Sequence, residues 1–178
     1  MQPECLDGGT VVLRPLCDDD LQAVVEACQD PEMVRWTTIP QPYGEPHARD
    51  FVHAFAERGW ADDTRAVFAI ADPVTDAYLG AVDLRLAPDE SAEIGYHVAP
   101  WARGRGVGTA ALRLVCRWGL EVLGLQRIEW QAAVGNVGSR RIAEAVGFVV
   151  EGTCRRRLVH RGERVDAWIG SLLPGELR

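Results

Sequence analysis

The stretch that decides the fold is "PWARGRGVGTAALRL", Pro100–Leu114. Its first half is bare backbone and positive charge, with Gly104, Gly106 and Gly108 set among Arg103, Arg105 and Val107. Its second half begins an apolar pattern at helical spacing. A helix start offers about four unpaired N–H groups and roughly half a positive charge. Glycines let an anion come close to that backbone, and two guanidinium forks add donors. The segment therefore reads as an anion cradle at the mouth of a helix, of the kind that holds phosphate.

The spacing narrows the choice of phosphate. A P-loop needs a lysine, and all 19 basic residues of this chain are arginine. A dinucleotide turn needs G-x-G-x-x-G directly after a strand. Here position 109 is Thr, and Ala99–Arg103 intervene between strand and glycines. What remains is R-x-x-G-x-G, made by Arg103, Gly106 and Gly108.

Working outward, "AEIGYHV" (Ala92–Val98) reads as a strand feeding the cradle, and the helix after it runs to about Leu123. "TVVLRPL" (Thr10–Leu16) is a first strand, and Asp18 is placed to cap a helix over "DDLQAVVEACQ". A proline-punctuated loop through Trp36 and Tyr43 leads to a second helix, "EPHARDFVHAFAERGW". "TRAVFAIAD" and "AYLGAVDLRLA" form a hairpin about "DPVTDA". "QRIEWQAAV" is a strand, "NVGSRRIAEAV" a helix, and the C-terminal region a strand pair turning at Arg161–Gly162–Glu163. Adjacent strands in runs predict an α+β, mixed α/β architecture and not a doubly wound sheet. The expectation is one domain over residues 1–178.

Composition sets the outer limits. Hydrophobic residues make up 47% and the net charge is −7, which fits a globular chain and argues against stable nucleic-acid binding. No apolar run approaches a membrane span, and the N-terminus has no leader pattern, so a cytoplasmic protein is expected. Five scattered cysteines without CxxC read as free thiols acting as small buried apolar residues, with no metal site. "CRRRLVHRGER" concentrates Arg155, Arg156, Arg157, His160, Arg161 and Arg164. It reads as a solvated hairpin, with ribosomal RNA, a 3′-phosphate or an acidic partner as alternatives.

Taken together, "AEIGYHVAPWARGRGVGTAAL", "NVGSRRIAEAVGFVVEGTCRR" and "VDAWIGSLL" resemble the GNAT acetyltransferase superfamily, in particular its RimJ/RimL branch. The resemblance implies a mostly antiparallel sheet of about seven strands, splayed between the fourth and fifth, with about four flanking helices. It implies acetyl-CoA as co-substrate, a primary amine as acceptor, and a homodimer. In that likeness Arg103, Arg105, Gly106, Val107, Gly108 and Thr109 hold the pyrophosphate. Val98 and Asn136 contact the CoA arm. Glu93 stands where the histone-modifying branch keeps its base, acting directly, through a water, or as an anchor for the substrate ammonium.

Many GNAT enzymes place an acidic tyrosine seven residues after the asparagine; here that position is Ala143. The RimJ/RimL branch has a serine where Ser139 stands, so Ser139 takes the role of proton or hydrogen-bond donor to the leaving thiolate, unless it only caps its helix. His97 and Asp83 are in reserve. Trp36 and Tyr43 line the acceptor pocket or anchor its loop. An α-amine has a pKa of about 7.7–8.0 and is about a tenth neutral at pH 7, which tolerates a weak base. A protein or peptide N-terminus is thus the expected acceptor. A small amine, another acyl donor such as succinyl-CoA, and a non-enzymatic CoA-binding module are the alternatives.

Overall fold

The computed structural model describes residues 1–178. A two-residue strand β1 (Leu6–Asp7) precedes β2 (Val12–Arg14). Three helices follow: α1 (Leu21–Cys28), α2 (Pro31–Trp36), and α3 over 45–61, whose middle turns Asp50–Ala56 are π-helical. Then come β3 (Arg65–Ala71), β4 (Tyr78–Leu86) and β5 (Ser91–Val98). The glycine loop leads into α4 (Val107–Glu121), and β6 (Arg127–Ala133) and α5 (Val137–Val146) come next. The chain closes with β7 (Val149–His160) and β8 (Glu163–Leu172).

The strands form one sheet in the order β1-β2-β3-β4-β5-β6-β8-β7. Every neighbouring pair is antiparallel except β5 and β6. That parallel pair is short: Ser91, Ala92 and Glu93 face Arg127, Ile128 and Glu129, and there the pairing stops. From Ile94 to Val98 the strand keeps its bonds to β4 but has no partner on the β6 side. The result is a splayed gap between the fourth and fifth of the strands expected from sequence. The short β1 shifts the count, giving eight strands in place of about seven, and α2 raises the helices from four to five.

The sheet is the middle layer of three. On one side a cluster of 26 buried residues joins it to α4 and α5; on the other a cluster of 14 joins it to α1–α3. Strand alternation serves the first cluster. Ala92 and Ile94 of β5 and Ile128, Trp130 and Ala132 of β6 turn inward, while Glu93, Glu129 and Gln131 turn to the other face. Trp130 is 1% exposed; burying an aromatic of that size stabilises the fold by roughly 2–3 kcal/mol.

Two local readings change. The expected Asp18 cap is not made: Asp18–Asp20 form a 3₁₀ turn, and the Asp18 carboxylate reaches His53 Nε2 at 2.7 Å. The buried acid is Asp20, which accepts from the Cys17 N–H at 3.0 Å and from both terminal nitrogens of Arg14 at 2.8 and 2.9 Å. A carboxylate with three donors outcompetes a simple cap. The cysteines also divide. Cys28 and Cys116 are buried as expected, whereas Cys5 and Cys17 are exposed and Cys154 is half-buried.

Candidate active site

The gap between β5 and β6 opens into a cleft of about 750 Å³. One wall comes from the segment 103–109, of which Arg103, Gly104, Gly106, Gly108 and Thr109 line the cleft and Arg105 and Val107 do not. Gly104 and Gly106 adopt φ of 74° and 76°, a left-handed conformation that disfavours any side chain. Those two turns deliver the chain into α4, whose first internal hydrogen bond runs from Ala110 N–H to Gly106 C=O at 3.0 Å. The amides of Val107, Gly108 and Thr109 precede that bond and have no carbonyl one turn back. Gly108 allows close packing: a Cβ there would lie 2.9 Å from Ile142 Cδ1 and 3.2 Å from Val98 Cγ2.

The arginines separate. Arg103 lines the cleft, donating from Nη2 to Asp30 Oδ2 at 2.6 Å and from Nε to the Val98 carbonyl at 3.3 Å. Asp30 also caps α2 by accepting from Met33 N–H, and the Arg103 guanidinium holds its carboxyl below the usual range. Arg105 is exposed and does not line the cleft. Asp72 in the β3–β4 turn is held below the usual carboxylate range chiefly by the Thr75 and Val74 N–H groups, with Arg105 a minor contributor.

On the far wall, Asn136 is the N-cap of α5, accepting from Ser139 N–H at 3.1 Å. That cap leaves the Ser139 hydroxyl free to turn elsewhere. Trp130 Nε1–H donates to Ser139 Oγ at 3.0 Å, and the Tyr96 and Ser139 hydroxyls are 2.8 Å apart. Tyr96 also donates to the Ser139 carbonyl at 2.9 Å. Burial pushes the Tyr96 phenol up to about 12, so it stays a protonated donor. An indole N–H pointing at Oγ withdraws electron density from it and makes its proton easier to give. Ala143, one turn further along α5, is fully buried and faces the core, where a tyrosine would not fit.

Tyr96 and Trp130 were not singled out from sequence. The signal was present in the alternation: Tyr96 shares parity with Ala92, Ile94 and Val98, and so faces α5. His97 takes the opposite parity. Its Nε2 meets the Tyr78 hydroxyl at 2.7 Å, and burial, with help from Arg103, lowers its pKa to about 4.

Across the sheet from α4 and α5 lies a second chamber of about 230 Å³. Val24, Cys28, Met33, Phe51 and Phe55 make it apolar, and Asp83 stands at its floor. Asp83 is ion-paired with Arg65, yet burial still raises its pKa. Met33, Thr37, Tyr96 and His97 line both this chamber and the cleft. Tyr43 belongs to the chamber, buried beside Cys28, which is itself pushed up to about 11 by burial. Trp36 belongs to the cleft, its Nε1–H donating to Glu32 at 3.0 Å and its indole covered by Arg35. The two aromatic residues expected at one pocket thus sit at two connected ones.

Glu93 lies outside both. It is ion-paired with Arg85 and lines a separate pocket of about 200 Å³ with Glu129. Four residues of strand separate it from His97, on the order of 13 Å. No cluster of three or more metal-ligating side chains comes together, and no helix is long and apolar enough to cross a membrane.

A splayed mixed sheet with an open helix start at one lip and a polarised hydroxyl at the other defines an acetyltransferase fold. The match to the GNAT acetyltransferase domain over residues 10–149 makes the assignment specific: the chain belongs to the GNAT acetyltransferases. It is 41% identical over 88 residues to the Bacillus subtilis (strain 168) protein named "Putative ribosomal N-acetyltransferase YdaF", a match covering 49% of this chain and 48% of that one. It is 28% identical over 175 residues to "Probable N-acetyltransferase YjcK" of the same organism, covering 94% of this chain and 96% of its relative. Among solved structures, Mycobacterium smegmatis RimJ in complex with CoA-disulfide superposes with a TM-score of 0.84 at 23% identity, over 99% of this chain and 88% of RimJ.

Proposed function

We propose that this protein transfers an acetyl group from acetyl-CoA to the α-amine of a peptide or protein N-terminus, by direct attack with both substrates bound. One observation carries the reading. Gly108 and Thr109, at the open start of α4, and Ser139, whose hydroxyl accepts from Trp130, line the same cleft, where β5 and β6 part, while Val107 is buried behind it. The residues fit the co-substrate. Gly104, Gly106 and the amides of Val107, Gly108 and Thr109 would hold the pyrophosphate, with Arg103 beside them and Arg105 at the mouth. The free edge of β5 down to Val98, and Asn136 opposite, would flank the pantetheine arm.

Acetyl-CoA supplies the activated thioester. Ser139 donates to the sulfur as it leaves, held by Tyr96 and Trp130. His97, neutral at pH 7 and held by the Tyr78 hydroxyl behind it, lies at the junction of cleft and chamber. Glu93, in its separate pocket outside the cleft, would anchor the ammonium or take its proton only through relayed water and not by direct contact at the reacting amine. Glu93 is already ion-paired with Arg85, an arrangement that suits an amine partly neutral at pH 7 and not one of lysine type.

The donor is acetyl. The cations lining the cleft are Arg35 and Arg103, each paired with a carboxylate, so the acyl end has no free positive charge for a succinyl group. The name of YdaF points to ribosomal proteins as the class of acceptor to try first.

The test is a screen of N-terminal peptides and small amines against acetyl-CoA and succinyl-CoA, following thiol release and locating the product by mass spectrometry. The expected product is an N-terminally acetylated peptide. Modification confined to small amines, or to lysine side chains of peptides with blocked N-termini, would overturn the reading.

A further inference from the structure

The arginine-rich hairpin is not a plain solvated turn. Cys154 of β7 pairs with Ala167, and the next pair is Leu158 with Val165. Arg155, Arg156 and Arg157 therefore stand opposite the single residue Asp166. This bulge is held in place. Arg156 adopts φ of 53°, its N–H donates to Asp166 Oδ1 at 2.8 Å, and Arg164 Nη1 donates to the carbonyls of Arg156 and Arg157 at 3.3 and 3.5 Å. The hairpin tip is tied down as well, because Arg161 Nη2 donates to the carbonyls of Val34 at 2.9 Å and Thr37 at 3.4 Å. Arg161 and Arg164 thus serve the backbone and fix the hairpin beside α2, whose residues line the cleft.

The three arginines of the bulge are left over. All are exposed, and none takes part in an ion pair, although the chain carries 26 acidic residues against 19 arginines. Arg157 also lines the pocket that holds Glu93 and Glu129. One pocket then offers carboxylates on the side of the splay and a free guanidinium on the side of the hairpin. Bulges bend a strand and re-aim its side chains, and they recur beside active sites.

We propose that Arg155, Arg156 and Arg157 form a docking surface for an acidic stretch of the acceptor polypeptide, a few residues after the N-terminus that is acetylated. The proposal rests on the peptide reading above and names the chemistry of that peptide. Complementary charge of this kind steers encounter and selects partners. Nucleic acid fits less well. The chain as a whole is negative, and no Phe, Tyr or Trp lies between Cys154 and Val165 to stack a base.

The experiment compares two peptides with the same first two residues, one with Asp and Glu at positions three to six and one with Ser and Gln. Steady-state acetylation with acetyl-CoA should favour the acidic peptide by about 10-fold in kcat/KM, carried in KM. Half-molar salt should erase the preference, and so should the Arg155→Gln, Arg157→Gln pair, with CoA affinity unchanged. The Arg155→Lys, Arg157→Lys pair should retain most of it. Equal use of both peptides by the wild type, or an unchanged preference in the glutamine pair, would overturn the docking surface and leave the peptide reading standing. A single-stranded RNA oligomer that binds at physiological salt through these arginines, with no peptide preference, would assign the surface to nucleic acid instead. Acetylation of small amines but of neither peptide would remove the peptide reading and this surface with it.

Discussion

The Tyr96 hydroxyl lies 2.8 Å from Ser139 Oγ, joining the free edge of β5 to the first turn of α5 across the gap in the sheet. With Trp130 Nε1–H at 3.0 Å, it leaves the serine proton directed by two aromatic neighbours. In the proposed mechanism, Ser139→Ala removes the donor to the leaving sulfur. It should lower kcat by about 100-fold, the scale of a lost general acid, with CoA affinity within about 2-fold of wild type. Tyr96→Phe keeps the serine and loses its partner, so kcat should fall by about 10-fold with little change in KM. Stopped-assay kinetics and calorimetric titration of CoA would check both. Wild-type kcat in Ser139→Ala would remove Ser139 from the chemistry.

His97 makes stability depend on pH. Its pKa is about 4 in the folded chain, below the ordinary 6.5, because burial disfavours the charged ring. The unfolded chain therefore binds more protons between these values. The stability that goes with a neutral His97 is complete above pH 6.5 and is lost as pH falls towards 4. The full loss amounts to about 3 kcal/mol. Urea unfolding at pH 7 and pH 4.5 should show most of that fall in wild type, and His97→Gln should flatten it. An equal fall in both proteins would place the acid sensitivity elsewhere.

Gly106 and Gly108 are needed for different reasons. Gly106 holds φ of 76°, where any other residue costs about 1–2 kcal/mol. Gly106→Ala should relieve that strain by re-forming the loop, weakening CoA binding by about 10-fold while the melting temperature barely moves. Gly108→Val meets Ile142 and Val98 instead and should push α5 away from β5, carrying Ser139 with it. Here kcat should fall more than CoA affinity. If both variants bound CoA as wild type does, the cradle would lie elsewhere.

The glycine loop at the head of α4 was legible because such a feature is local: glycines, a helix start and an arginine at fixed spacing lie within a single stretch. The splay was legible only by resemblance, since the end of β5–β6 pairing after Glu93 depends on a register between segments more than thirty residues apart. Alternation could place Tyr96 on the face of α5, but nothing in the local pattern says that Trp130 and Ser139 meet it there. The cap expected at Asp18 was misjudged for a similar reason. Asp18, Asp19 and Asp20 are equivalent as helix-start residues, and only the return of Arg14 from β2 selects one of them. The arginine bulge was hidden because sequence gives the charges and not the ladder step that they share.

That return of Arg14 supports a last prediction. Asp20 is 2% exposed and binds Arg14 through both carboxylate oxygens, while Arg14 Nε reaches Asp76 at 2.7 Å. Asp20→Ala leaves the Arg14 guanidinium with one carboxylate partner, Asp76, beside the Pro15 and Asp76 carbonyls, and orphans the Cys17 N–H. Breaking a buried pair from one side costs about 3–5 kcal/mol, and the surviving contact to Asp76 puts this variant at the lower end. In a chain of this size the melting temperature should drop by roughly 10 °C. The Arg14→Met, Asp20→Leu double variant removes both charges and should recover at least half of that loss, because the desolvation cost goes with them. Neither residue lines the cleft, so kcat at 25 °C should match wild type in every variant that remains folded. A double variant no more stable than Asp20→Ala would mean that the Asp20 carboxylate matters for its bond to Cys17 and not for its bond to Arg14.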